Sequence, residues 1–193
     1  DWRAAAARAL SESELQRVSH IAQQTLGYYR EDASATPVSL NDIMQQAVTI
    51  YEPRCRAAGI KMLHSLRSVR KISLRRGEIL QVISNLLANS IYALSAGGTI
   101  HIEVNACETE PQGVVFSVRE NGEGISPEDL PRVFDAFFTT RATIGTGIGL
   151  FIAKQLVTGH GGRITIESSK DVNEHGTNVR VFLPCATPEH RHR

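Results

Sequence analysis

The sequence predicts an α+β fold, a two-layer sandwich in which helices cover one face of a mixed β-sheet, preceded by one long N-terminal helix. Three observations carry that prediction. Four segments place apolar residues at helical spacing, and the stretches between them alternate apolar and polar residues. Behind the first helix the order runs helix, two strands, helix, two strands, loop, helix, two strands. Strands that arrive in pairs favour a sheet with its helices layered on one side over a doubly wound βαβ array. With 193 residues, 41% of them hydrophobic, the chain suffices for one buried core plus an appendage.

From Trp2 to about Arg30 there is no proline, no glycine before Gly27, and an apolar stripe of Leu10, Leu15, Val18, Ala22, Thr25 or Leu26, and Tyr29. That is an amphipathic helix of about 40 Å, and its unpartnered stripe marks an intermolecular or inter-helix packing surface. Glu31 to Pro37 is small and polar and reads as a linker. Ser39 is an N-cap for a second helix carried by Leu40, Ile43, Met44, Ala47, Val48 and Tyr51 and ending near Gly59. Two short strands follow, Ile60 to Leu66 and Val69 to Leu74. Arg76 to Leu94 is a strongly apolar helix with the pair Gly97-Gly98 as its terminator. Thr99 to Asn105 and Val114 to Arg119 alternate as strands about a turn at Pro111 and Gly113. Beyond a glycine-rich stretch come a helix over Ile148 to Thr158 and strands over Arg163 to Ser168 and Asn178 to Leu183.

Lys and Arg number 21 against 20 for Asp and Glu, a net charge of +1, so nothing favours nucleic acid or an anionic membrane as partner. Any nucleotide must be held by a local site. Cys55, Cys107 and Cys185 are far apart and form no CxxC pattern, which fits isolated buried thiols in a reducing compartment. No apolar run approaches the roughly 20 residues needed to span a bilayer, and no signal-peptide pattern opens the chain.

Three features meet a nucleotide better than they fill a core. Asn85 and Asn89, in S-N-L-L-A-N-S, lie four apart and hence on one face of the apolar helix. An amide there costs about 1–3 kcal/mol unless it finds partners, so two imply a polar cleft or bonds to nearby backbone. The second feature, E-N-G-E-G from Glu120 to Gly124, directly follows a strand. Its glycines allow a sharp turn and close approach, and Glu120 can accept from an exocyclic amine; a simple hairpin turn is the alternative. The third, G-T-G-I-G-L from Gly145 to Leu150, opens the last long helix, where free backbone N–H groups and the helix dipole suit a phosphate. Between them, F-D-A-F-F-T-T-R offers Phe134, Phe137 and Phe138 either as lid anchors or as ordinary core aromatics.

Taken jointly and in this order, these residues resemble the ATP-binding domain shared by histidine kinases, gyrase, a heat-shock chaperone and a mismatch-repair ATPase. The resemblance covers about residues 36 to 184 and extends to the closing stretches H-G-G-R-I and H-G-T-N-V-R-V-F-L-P. It implies the histidine-kinase ATPase fold with ATP and Mg²⁺ as cofactors. On its pattern Asn89 is the magnesium ligand, Asn85 a phosphate-side contact, and Gly122 and Gly124 line the adenine pocket. Gly145, Thr146, Gly147, Ile148, Gly149 and Leu150 wrap the phosphates; Thr177 lies on the last nucleotide-facing strand; Tyr92, Ile125, Phe138 and Arg141 complete the pocket. A single amide oxygen suits Mg²⁺, which shares its shell among one or two protein groups, waters and phosphates. One position departs from the pattern: Glu120 stands where an aspartate reads adenine, which moves the carboxylate by about a bond length.

Hydrolysing members of this superfamily carry a glutamate four residues before the magnesium asparagine, as general base. This chain has Asn85 there, and an amide has no useful basicity near neutral pH, so phosphoryl transfer is expected rather than hydrolysis. The alternatives are a regulatory nucleotide-binding module without catalytic competence and a stand-alone ATPase. The stretch R-V-S-H-I-A-Q-Q-T-L-G-Y-Y-R-E resembles the second helix of the dimerisation and phosphotransfer hairpin of sensor histidine kinases. The first helix, with its acceptor histidine, has no counterpart here. His20 is followed by Ile21 rather than an acidic residue and is not that acceptor, so the chain alone is not expected to autophosphorylate. His64, His101, His160, His175, His190 and His192 read as surface or turn residues. The resemblance thus divides the chain into residues 1–35 (second hairpin helix and linker), 36–184 (catalytic domain) and 185–193 (tail). It implies a cytoplasmic module, free or part of a membrane-anchored sensor, with a response-regulator receiver domain as partner and a homodimer through the N-terminal helix.

Overall fold

Seven strands and three α-helices make up the described part of the chain: the computed structural model describes residues 34–109, 111–140, 146–171 and 174–185. The predicted N-terminal helix and the tail beyond Cys185 lie outside the described residues.

The first element is a correction to the sequence reading. Thr36–Val38, whose first two residues fall in the expected linker, is a strand, β1, paired antiparallel with β3 (Ile72–Leu74) in a small sheet of its own. The segment Val69 to Leu74 therefore becomes strand only at Ile72 and leaves the main sheet. Between them, α1 (Leu40–Ala57) starts where expected, with Ser39 Oγ accepting from the Asp42 N–H at 3.3 Å. It buries Leu40, Ile43, Met44, Ala47 and Val48 on one face.

Helix α2 (Arg76–Ala93) buries most of its length, from Ile79 to Ile91. It does not end at a glycine cap: Leu94 is already extended, at φ −106 and ψ 143. Gly97 and Gly98 instead build the next turn, Gly97 N–H donating to Gly59 O and Lys61 N–H to Gly98 O, each at 2.9 Å. That turn brings the chain into the main sheet, whose order is β2-β4-β5-β7-β6. Its strands are β2 (Lys61–Leu66), β4 (Thr99–Cys107), β5 (Gly113–Glu120), β6 (Arg163–Ser169) and β7 (Gly176–Pro184).

The pair β2/β4 is parallel, because α2 crosses over between them, and the remaining pairs are antiparallel. Alternation is clean on β4, where Ile100, Ile102 and Val104 are buried and His101 and Glu103 are exposed. The inward residues of β4, β5 and β7 join those of α1, α2 and α3 (Gly149–Gly159) in one core. Helices thus cover one face of a mixed sheet, as the sequence predicted. Of the three cysteines only Cys55 is buried, which pushes its thiol pKa up; Cys107 and Cys185 are half-buried, and all three are free. No helix among the described residues is long and apolar enough to cross a membrane.

Candidate functional site

The chemistry gathers where α2 faces the ends of β5 and β7. A cleft of about 240 Å³ opens there, walled by α2, by the turn after β5, by the Phe138–Thr140 stretch and by the start of α3. Of the sixteen sequence-predicted site residues it collects twelve: Asn85, Asn89, Tyr92, Glu120, Gly124, Ile125, Phe138, Thr146, Gly147, Gly149, Leu150 and Thr177. Arg141 and Gly145 lie outside the described residues.

Gly122 and Ile148 are not among the lining residues. Gly122 sits behind the wall: it is buried, and its N–H donates to Oε2 of Glu120. A Cβ there would come 2.3 Å from Ala93 O and 2.5 Å from that carboxylate oxygen, so the residue packs between strand end and helix end instead of lining the pocket. Ile148 caps α3, its carbonyl accepting from Ile152 N–H at 2.9 Å.

The asparagine pair divides its labour. Asn85 is 3% exposed, and its Nδ2 donates to the carbonyl of Gly149 at 3.1 Å, tying α2 to the first residue of α3. Asn89, one turn on, is exposed and faces the cleft. Among the described residues no three His, Cys, Asp or Glu side chains converge on a metal site. A divalent ion held here would lean on one amide oxygen plus ligand oxygens, a donor set that fits Mg²⁺.

Glu120 ends β5, opposite Ile100 on one side and Thr177 on the other. It is 3% exposed. Its longer arm is taken up by a fold back onto Gly122, which leaves Oε1 buried with no hydrogen-bond partner among the described residues. A buried acceptor without a donor is unfavourable by about 1–3 kcal/mol, and Glu120 belongs to the cleft lining, where a ligand amine could supply one. The turn is held from β6 and β7: Ser168 Oγ accepts from Ile125 N–H at 2.8 Å and donates to Gly176 O at 2.8 Å.

The three phenylalanines do not enter the deep core. Phe138 lines the cleft under the Arg132 guanidinium at 4.4 Å, Phe134 is half-buried beside Lys154, and Phe137 is 74% exposed at φ 66. The backbone N–H of Phe137 donates to Gly147 O at 3.0 Å, so this stretch is fastened to the glycine loop.

Sequence reasoning missed the apolar floor of Val118, Val133, Ile166 and Val179 and the hydroxyls of Thr139 and Thr140. Both threonines fall inside the quoted F-F-T-T motif, which was the available signal. His160 sits in the turn that closes α3, as one of the two readings had it, but it is no surface residue: it is 2% exposed, its Nε2 lying 3.0 Å from Glu78 Oε2. Burial and the nearby Arg75 guanidinium hold its pKa below the ordinary imidazole value.

The family model for histidine kinase-, DNA gyrase B-, and HSP90-like ATPases matches residues 75–187. Sensor histidine kinase ZraS of Salmonella typhimurium is 30% identical over 148 residues, 76% of this chain and 30% of that protein. The chain therefore spans less than a third of the length of that relative. Among solved structures, the catalytic domain of histidine kinase ThkA aligns with a TM-score of 0.69 at 29% identity, over 78% of this chain and 95% of that one. ThkA in complex with its response regulator TrrA aligns over 92% of this chain and 50% of that one, with a TM-score of 0.70 at 27% identity.

Proposed function

The chain belongs to the histidine kinase-, DNA gyrase B-, and HSP90-like ATPase family, and from that premise we propose that it is the catalytic ATP-binding module of a cytoplasmic sensor histidine kinase. It binds Mg-ATP in the cleft and transfers the γ-phosphate to a histidine on a hairpin helix that this sequence does not contain. Residues 36–184 form the catalytic domain, 1–35 the second hairpin helix and linker, through which the full protein dimerises, and 185–193 a tail. A receiver domain is the next acceptor, in keeping with the complex that ThkA forms with its response regulator.

One observation carries the choice of transfer over hydrolysis. The position where hydrolysing members hold a general base is occupied by Asn85, whose amide is committed to the Gly149 carbonyl. An amide cannot deprotonate water, so the site positions the nucleotide and leaves the nucleophile to a partner. Asn89 holds the metal, which would neutralise phosphate charge when bound. Gly147, Gly149 and Thr146 offer backbone and hydroxyl donors at the start of α3, and Glu120 accepts the adenine amine.

The test supplies the chain with labelled ATP, magnesium and a separate histidine-bearing hairpin. Acid-labile, base-stable phosphate on the hairpin, and none on the chain alone, is the expected result. Steady phosphate release without acceptor would mark an ATPase instead, and nucleotide binding with neither outcome a regulatory module.

A further inference from the structure

His175 stands exposed just ahead of β7, and its Nδ1 lies 2.8 Å from the carbonyl oxygen of Gly122. A carbonyl only accepts, so Nδ1 carries the proton and donates. The same Gly122 residue then donates its own N–H to Oε2 of Glu120, a residue of the cleft lining, and Oε1 is left buried and unpartnered. These groups form an ordered chain from imidazole through the two peptides that meet at Gly122 to the carboxylate. The backbone leaves no room for a side chain along it: Gly176, beside His175, has φ +129, and a Cβ there would come 2.1 Å from Glu120 O. No side chain fits between the loop that carries His175 and the strand end that carries Glu120.

We propose that His175 is a positioning residue that fixes which carboxylate oxygen of Glu120 is left free for a ligand, and so sets the preference for a 6-amino over a 6-oxo purine nucleotide. The proposal rests on the reading of Glu120 as the acceptor for adenine. A glutamate has one more rotatable bond than an aspartate, and each added bond multiplies the staggered arrangements open to the carboxylate. The Gly122 N–H selects one of them, and His175 fixes the carbonyl of the same residue, on the far side of the Gly122 Cα, so that the turn carrying that N–H is held in place. Adenine offers an amine to Oε1; guanine offers a carbonyl oxygen, which the carboxylate repels.

Competition binding of ATP against GTP, with parent, His175→Ala, His175→Gln, Glu120→Ala and the double Ala variant, decides it. Because His175 is exposed, its substitution leaves the core intact, and circular dichroism checks this. The expected result is a fall in ATP preference of about fivefold in His175→Ala, the scale of one lost hydrogen bond. His175→Gln, which keeps an N–H donor, recovers most of it, and the double variant is no worse than Glu120→Ala alone. An unchanged preference in His175→Ala, or losses that add fully in the double variant, would overturn the positioning role while leaving the adenine reading intact. An unchanged preference in Glu120→Ala would overturn the adenine reading, and this proposal with it.

Discussion

Nε2 of His160 lies 3.0 Å from Oε2 of Glu78, which joins the residue capping the end of α3 to the first turn of α2. Arg75 closes the group from the other side, its Nε 2.7 Å from Glu78 Oε1. At the opposite end of α3, Asn85 holds Gly149. Helix α3 is therefore pinned to α2 at both of its ends, and one pin is titratable.

Stability should fall as the pH drops through the imidazole range. Burial first, and the Arg75 charge second, depress the folded pKa of His160, while Glu78 opposes them. The unfolded chain then binds the proton more readily than the folded one, so stability rises with pH. The contribution is fully present above the unfolded value of about 6.5 and is lost as pH falls below it toward the folded value. Urea midpoints between about pH 5 and 8 should show this slope in the parent and a shallower one in His160→Gln. Equal slopes would remove His160 as its source.

Asn85→Ala should destabilise the protein by roughly 1–3 kcal/mol, because it removes a buried amide and leaves Gly149 O without that donor. Asn85→Asp keeps the shape but sets an acceptor against an acceptor, and should be worse than Ala. Chemical denaturation of the three proteins gives the order.

Most of the frame was legible from periodicity. Leu40, Ile43, Met44 and Ala47 announce α1, and Ile100, Ile102 and Val104 announce β4, because burial on one face writes its period into the chain. Thr36–Val38 was not legible: three residues with a proline among them show no alternation, and only the partner Ile72–Leu74 makes them a strand. In the site, Asn85 and Asn89 stood out as polar residues on an apolar helix, and Glu120 as a carboxylate at a strand end ahead of two glycines. Val118, Ile166 and Val179 did not, since an inward strand residue looks the same whether it meets a helix or a cleft. The turn at His160 was legible but its burial was not, since its side-chain partner, Glu78, is separated from it by 82 positions.

Asn89→Ala should abolish the magnesium-dependent part of ATP binding while leaving stability within about 0.5 kcal/mol, since the residue is exposed. Titration calorimetry with and without magnesium separates the two effects. A variant that still binds ATP more tightly with the ion than without it would show that the metal has another protein ligand.

Glu120→Gln is expected to separate stability from recognition. In the parent, a carboxylate is buried with one oxygen on the Gly122 N–H and the other without a partner, an arrangement that costs folding free energy. A glutamine of nearly the same shape can keep an oxygen on that N–H and removes the charge from the cleft wall. The nucleotide-free variant should therefore be at least as stable as the parent, by as much as about 1 kcal/mol, read as an upward shift of the thermal midpoint. Its free amide now points a donor where the parent has an acceptor, so ATP binding should weaken about tenfold and GTP, with a carbonyl at that position, should gain. Thermal unfolding without nucleotide and competition binding with both nucleotides measure the two effects on the same preparation. A variant that loses stability and keeps its preference for ATP would mean that the Glu120 carboxylate supports the fold and does not read the base.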